Sequence, residues 1–310
     1  MILVKPQDSF KCALLLIGFN RPELIQRRLN EIGYPPTIPV IVSIDGGITA
    51  ANEETYKQLQ ASLSESSYHF KYHSTNLGLA THITRAISEV LENFENVIVI
   101  EDDVKVSRSF IEVLESNLSK SNSPRIATWG GFSPIRPIQY LEKFNYWRSS
   151  IYFSAWGWGI SRNAWKKFNL DLNLDLIELE QQLQSSKNWA KLNAIQKRVW
   201  RSRFKKVSDS PLFTWDYQMQ FMSFKYDLIH MLPIFRLTDN EGFEDLRSTN
   251  TKSRRPKWMG KVAIAKLAAD NKRLPAIFAR IIMTIDSLTI GGDSRVLIWK
   301  SRILKNWLNK

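Results

Sequence analysis

The sequence predicts an α/β fold with a mainly parallel central sheet and helices on both faces. Three observations point to it. Between residues 13 and 104, apolar β-forming runs alternate with stretches of helical character, the pattern of crossover units in a parallel sheet. Polar, turn-forming residues fall at the C-terminal ends of those runs, where open sheets of this kind carry ligands. The last of the runs ends in consecutive carboxylates, Glu101, Asp102 and Asp103.

The first run, Ala13–Phe19 (ALLLIGF), reads as a buried strand. Asn20-Arg21-Pro22 turns it into a helix carrying Leu24, Ile25, Arg27, Arg28 and Leu29, with Pro22 in the first turn, where its missing N–H does no harm. Pro39–Ile44 is a second strand, with Asp45-Gly46-Gly47 as a turn at its end. Helical sequence from Asn52 to Leu63 precedes a short third strand, Phe70–His73. Asn76-Leu77-Gly78 leads into a helix from Ala80 to Phe94, and Val97–Val104 (VIVIEDDV) is the fourth strand.

That fourth strand poses a physical problem. A strand buried on both faces cannot end in adjacent acids unless something neutralises them, because a desolvated carboxylate is costly. A divalent cation would do so, and hard oxygen ligands suit Mg²⁺ or Mn²⁺. The competing reading is a turn whose acids cap the helix beginning near Ser109.

After Ser107 the regular alternation stops. A helix is expected over Phe110–Leu118 and a strand over Ile126–Trp129, with loops at Gly130-Gly131, Pro134 and Pro137. Tyr152–Ile160 (YFSAWGWGI) interleaves aromatic and small residues, which lets an indole face a cleft or packs a tight β-turn. A helix opens over Asn163–Phe168, and Leu170–Val207 reads as a long, largely helical cover for one end of the domain. Trp215-Asp216 precedes an apolar helical run with Met219, Met222 and Phe224, where Asp216 also suits an N-cap. Leu228–Leu237 is strand-like, and Asp239–Asp245 is a polar loop.

With 310 residues, 44% hydrophobic and 24% charged, the composition is that of a globular chain able to bury a sizeable core. The single cysteine, Cys12, excludes an internal disulfide and fits a reducing compartment and a core thiol. There is no CxxC or Cys/His cluster for zinc, no GxGxxG and no GxxxxGK[ST]. The start, MILVKPQDSFK, has no apolar segment of signal-peptide length, so a cytoplasmic location is expected. Of the net charge of +13, residues 252–310 carry +11. That end alternates bases with apolar groups such as Trp258, Ile281, Trp299 and Trp307. It is therefore expected to form a basic amphipathic helical region, 256–310, distinct from a catalytic domain over 1–255. Such a region could hold the protein on the inner face of an anionic membrane or pack on the body.

The motifs, taken in order, resemble those of GT-A glycosyltransferases, in particular the metal-dependent, inverting N-acetylglucosaminyltransferase I family and bacterial family 2-like sugar transferases. The similarity covers roughly residues 11–251. IGFNRP (Ile17–Pro22) resembles the first-strand loop whose arginine contacts the nucleotide, implying Arg21. VIVSIDG (Val40–Gly46) resembles the strand whose aspartate binds the uridine, implying Asp45. THITRAI after Gly78 aligns with a segment beginning at a nucleotide-binding histidine, implying His82. The Glu-Asp-Asp metal motif is matched by Glu101, Asp102 and Asp103, with Asp103 as the direct Mn²⁺ or Mg²⁺ ligand and Asp102 and Glu101 beside the donor. The aromatic segment, with Trp158, would frame donor and acceptor. Trp215-Asp216 resembles a Trp-Asp-Asp motif that includes the catalytic base, although the second acid is Tyr217 here; Asp216 is the candidate, with Glu244 and Asp245 as alternatives. Pro233–Gly242 resembles a loop closing over the phosphates, with a looser match at Arg236-Leu237-Thr238. The resemblance implies transfer of a hexosyl or N-acetylhexosaminyl group from a nucleotide-diphospho-sugar to a glycan or lipid-linked acceptor, as in polysaccharide biosynthesis.

Two other classes compete. A nucleotidyltransferase could use a similar sheet, but no Gly-rich phosphate loop follows the first strand. A nucleic-acid-binding protein would account for the charge, but the charge is confined to the chain end while acids mark the strand ends; no nucleic-acid partner is expected.

Overall fold

Period-two alternation in the first strand sets the layering. In β1 (Cys12–Gly18), Cys12, Leu14 and Leu16 enter one apolar cluster and Ala13, Leu15 and Ile17 another, so both faces of the strand are covered. The computed structural model describes residues 10–33, 36–63, 67–121, 123–243, 245–247, 254–266 and 270–273, with Asp286 and Thr289. Beyond β1 its strands are β2 (Val40–Ile44), β3 (Tyr68–Tyr72), β4 (Asn96–Glu101), β5 (Val104–Lys105), β6 (Ile126–Gly130), β7 (Tyr146–Ser150), β8 (Trp158–Ser161), β9 (Ile229–Pro233), β10 (Asp239–Asn240) and β11 (Asp270–Arg273).

Nine of these form one sheet in the order β11-β7-β9-β6-β8-β4-β1-β2-β3. The ladders β3/β2, β2/β1, β1/β4, β6/β9 and β7/β11 are parallel. Those of β8 with β4 and β6, and of β7 with β9, are antiparallel. The expected mainly parallel α/β architecture is what the chain adopts. On one face lie α1 (Pro22–Ile32), α2 (Ala50–Ser62) and α4 (Arg108–Lys120), through Ile25, Leu29, Tyr56, Phe110 and Leu114. On the other lies α3 (Leu79–Asn93), through Ile83, Ile87 and Val90.

The fourth strand is shorter than expected. It stops at Glu101; Asp102 and Asp103 form a turn, and Val104–Lys105 leaves the main sheet to pair with β10. Leu170–Val207 is largely helical, in separate pieces. After the short α5 (Arg162–Trp165) come α6 (Leu176–Leu183), α7 (Lys187–Ala190) and α8 (Ala194–Asp209). Polar N-caps at Asp175, Ser186 and Asn193 restart the chain each time. Leu183, Trp189, Trp200 and Phe204 from these helices pack on Phe221 and Phe224 of α9 (Asp216–Lys225) in a third apolar cluster. The strand-like stretch from Leu228 ends at Pro233, which has no N–H to continue a ladder.

Past residue 255, the described chain continues into the body. Ala265 donates to the Arg236 carbonyl at 2.8 Å, Arg236 Nη1 donates to the Met259 carbonyl at 3.3 Å, and β11 extends the sheet beside β7. Arg148 and Asp286 form a fully buried ion pair. Residues 257–259 form a 3₁₀ turn and 270–273 a strand. The amphipathic segments expected from 277 onward lie outside the described residues apart from Asp286 and Thr289. Among the described residues no helix is long and apolar enough to cross a membrane.

Candidate active site

Strand register brings distant motifs to one edge. Gly18 pairs with Ile44, Ile17 with Glu101 and Ile44 with Tyr72, so the residues that follow these pairs emerge at the same level. The Asp45 N–H donates to the Gly18 carbonyl and the Asp102 N–H to the Ile17 carbonyl, both at 3.0 Å. A cavity of about 230 Å³ opens there, lined among others by Asn20, Arg21, Asp45, His82, Glu101 and Asp102. The structure thus gathers five of the expected donor-site residues around one cavity.

Arg21 and Asp102 are locked together. Arg21 Nε donates to Asp102 Oδ2 at 3.1 Å, and its Nη2 donates to Asp102 Oδ1 and, at 3.4 Å, to Asp103 Oδ2. Its buried Nη1 has no hydrogen-bond partner among the described residues; Asp245 lies 3.8 Å away. Asp103 is held on the other side by Asn240, whose Nδ2 donates to Oδ1 at 3.1 Å. The β5/β10 pairing positions that contact, and the Glu241 N–H donates to the Asp103 carbonyl at 2.7 Å.

Asp45 organises the neighbouring loop. Its Oδ1 accepts from the Gly46 and Leu77 N–H groups at 2.9 and 2.8 Å, and its Oδ2 from Gly78 at 3.1 Å. His82, in the first turn of α3, is buried rather than at the solvent face of the helix. Its Nε2 lies 2.8 Å from Ser43 Oγ on β2. Burial lowers its pKa to about 4, so the ring is neutral near pH 7.

A second cavity, about 270 Å³, holds Asp216 with Phe132, Trp156, Trp200, Arg203 and Tyr217 in its wall. Asp216 is the first residue of α9, and Trp215 occupies the N-cap position. The Asp216 side chain therefore does not cap the helix; it accepts from the Thr214 hydroxyl. Burial raises its pKa, while the Thr214 hydrogen bond pulls it back. Asp216 also belongs electrostatically to the first site, because its charge helps to raise Glu101.

Trp158 does not reach either cavity. It is fully buried in β8, stacked on Trp215 with centroids 5.4 Å apart, and Trp156 lines the second cavity instead. Arg236, in the segment expected to close over phosphates, is fully buried and committed to Asp239 at 3.0 Å and the Pro134 carbonyl at 2.7 Å. Asp245 binds Arg247 near the first cavity rather than lining the second. Glu244 lies outside the described residues.

The acidic turn has the chemistry of a hard-cation site. Burial and mutual repulsion hold Glu101 well above the usual carboxylate range and push Asp102 up to about 7. Burial also raises Asp103, although Arg21 opposes it. One guanidinium leaves this crowd under-compensated, and carboxylate oxygens are what Mg²⁺ or Mn²⁺ takes. Both Asp102 oxygens accept from Arg21, Asp103 accepts from Asn240 and only at 3.4 Å from Arg21, and Glu101 accepts from no donor among the described residues; the acceptor capacity left for an ion is therefore greatest at Glu101 and next at Asp103. Among the described residues no three such side chains already converge in a ligand arrangement; the donor types fit, and closure around an ion would require side-chain movement.

Sequence reasoning missed Ser43, Asn240, Trp156 and Arg203. Ser43 and Trp156 sat inside stretches already assigned a role, one residue from a motif or at the wrong indole. Asn240 sat inside the Pro233–Gly242 stretch already given a role, and Arg203 carried no local signal, since its partners come from elsewhere in the chain.

No family model and no curated protein matches the chain. Solved structures do align with it. A mannosyltransferase from Pyrobaculum calidifontis in complex with GDP-Man and Mn²⁺ is 13% identical, over 68% of this chain and 69% of that one, with a TM-score of 0.40. GalNAc-T7 with UDP, GalNAc and Mn²⁺ is 9% identical, over 75% and 44%, with a TM-score of 0.45. S. aureus TarS 1-349 is 13% identical, over 72% and 58%, with a TM-score of 0.41. The chain thus spans less than half of GalNAc-T7 and under two thirds of that TarS fragment. At such identities and scores, these alignments transfer neither fold nor activity to this chain.

Proposed function

We propose that the chain is a metal-dependent, inverting glycosyltransferase that moves a sugar from a nucleotide-sugar to a hydroxyl of a glycan or lipid-linked acceptor. The observation that carries this reading is the presence of two cavities: one lined by Arg21, Asp45, His82, Glu101 and Asp102, the other aromatic and holding Asp216. Transfer between two substrates calls for two adjoining sites with a carboxylate near their boundary.

The residues suit distinct roles. Asp45 Oδ2 accepts only from the Gly78 N–H among the described residues and so keeps a lone pair for a base or ribose hydroxyl. Arg21 Nη1, buried and without a hydrogen-bond partner among the described residues, can donate to a phosphate oxygen. A divalent cation held by Asp103 with Glu101 would supply charge stabilisation to the departing diphosphate. Asp216 would take the proton of the acceptor hydroxyl as its oxygen bonds to the anomeric carbon and the bond to the diphosphate breaks. Attack from the face opposite the leaving group inverts the anomeric centre.

The test is release of nucleoside diphosphate from a panel of UDP-, GDP- and dTDP-sugars with Mn²⁺. Turnover of one donor class, dependent on Mn²⁺ and lost in Asp103→Ala, is expected. Asp216→Asn should cut transfer by at least a hundredfold. A folded protein that neither binds nor hydrolyses any of these donors would overturn the reading.

A further inference from the structure

The wall of the second cavity contains a cation, Arg203, that forms no salt bridge among the described residues. Arg203 lies on α8, where two of its charged neighbours are paired, Arg201 with Glu180 at 2.6 Å and Lys205 with Asp209 at 2.8 Å. Arg203 itself makes no ion pair or hydrogen bond among the described residues. Its guanidinium instead lies over two rings, with its central carbon 4.5 Å from the Trp200 centroid and 5.3 Å from that of Tyr217. Stacking fixes the plane of a guanidinium while leaving its N–H edges able to donate. A fixed, planar set of donors matches a carboxylate or phosphate in two-pronged fashion.

The surroundings favour a sugar that carries such a group. Phe132, Trp156, Trp200 and Tyr217 give the cavity apolar ring surface, suited to the C–H faces of a pyranose. Gln220 is not available to a ligand in its present arrangement: its Oε1 accepts from the Phe153 N–H and its Nε2 donates to the Ile151 carbonyl, both at 2.8 Å. Asp216 is an acceptor, suited to a hydroxyl. That leaves Arg203 as the cationic side chain of this wall, and its charge already reaches Asp216.

We propose that the acceptor is an anionic sugar or glycan, whose carboxylate or phosphate is read by Arg203 while a hydroxyl of the same molecule faces Asp216. This rests on the glycosyltransferase reading of the same site. It goes further by selecting among acceptors, which the donor cavity does not address.

Binding to the full chain is measured by titration calorimetry with three probes: methyl β-glucuronide, methyl β-glucoside and glucose 6-phosphate. The wild type is expected to bind one of the anionic probes at least tenfold more tightly than the neutral glucoside; which one distinguishes a carboxylate from a phosphate. In Arg203→Gln that preference should fall to within about twofold, and Arg203→Lys should restore part of it, with circular dichroism and melting unchanged in both. Equal or undetectable binding of anionic and neutral probes by the wild type overturns the proposal, as does a preference that survives in Arg203→Gln. Donor hydrolysis by the wild type is measured in parallel. Absence of both donor hydrolysis and donor binding would overturn the transferase reading alone, because the anion preference is read without any donor.

Discussion

The carboxylate of Asp102 is held by two nitrogens of the Arg21 guanidinium, side by side, at the C-terminal edge of the sheet. Both side chains are nearly buried. The pair therefore combines two functions: it neutralises an acid that burial alone would protonate, and it fixes a cation beside the first cavity.

Removing one partner of such a pair leaves an uncompensated buried charge, which costs ~3–5 kcal/mol. Arg21→Ala should therefore destabilise the chain by about that amount in urea denaturation. Adding Asp102→Asn should recover part of the loss, since a neutral amide does not need a cation. A double variant as unstable as Arg21→Ala would show that the pair is not what holds this edge.

Asp45 satisfies three backbone N–H groups at the entrance to α3. Asp45→Ala strands the Gly46 and Leu77 donors, whereas Gly78 keeps Asn76 Oδ1 at 2.8 Å, at roughly 1–3 kcal/mol for each one left buried, and should also weaken nucleotide binding. Gly46→Ala tests the same loop sterically. A Cβ there would lie 2.3 Å from the Thr75 carbonyl carbon, so the backbone must shift. Both variants should lose affinity for the nucleoside diphosphate in calorimetry; unchanged affinity in either would remove the loop from the donor site.

The two neighbouring tryptophans should behave oppositely. Trp158→Ala empties a fully buried position and should cost ~3–5 kcal/mol of stability. Trp156→Ala, at the wall of the second cavity, should leave the denaturation midpoint nearly unchanged and raise the acceptor KM several-fold. The reverse pattern would exchange the roles given to these residues.

His230 makes acid stability a direct readout of core burial. Its Nδ1 lies 2.8 Å from Thr128 Oγ1 and burial pushes its pKa down to about 3. Between pH 6.5 and 3 the unfolded chain takes up a proton that the folded chain refuses, so this group's contribution is present above 6.5 and is lost as pH falls. The stability advantage of wild type over His230→Phe should shrink by ~2 kcal/mol from pH 7 to 5. Measuring the difference cancels the acidic turn, whose raised carboxylates act in the opposite sense. Parallel curves for the two proteins would contradict the buried, neutral histidine.

Much of the architecture was legible in the residues. ALLLIGF and VIVSI could only be strands covered on both sides, and the helical stretches between them had crossover length. Arg21, Asp45 and the acidic turn stood out because each follows directly on such a strand. The aromatic segment was less readable. Trp156 and Trp158 have the same parity and similar neighbours, and the backbone at Gly157, with φ of +73°, separates them into cavity wall and core. A positive φ is open to glycine at either side of many tryptophans, so the motif alone could not say which indole turns inward. Arg236 shows a related limit: its loop resembles a phosphate cover, and in the structure Asp239 and two carbonyls bind its guanidinium.

What the sequence determined by itself was the alternation of strand and helix, and with it the gathering of polar residues at one sheet edge. Hydrophobic period and crossover length are local properties, and parallel topology converts them into a common edge. Only the tertiary structure decided which groups are free to act there. Asp102 is occupied because Arg21, 81 positions away, reaches both its oxygens. Asp216 faces a separate aromatic wall because α8 and α9 pack together, and Arg203 lacks a counter-ion among the described residues because its helix turns it toward two rings. Those outcomes depend on which side chain arrives first at a shared partner in space, and no spacing along the chain encodes that.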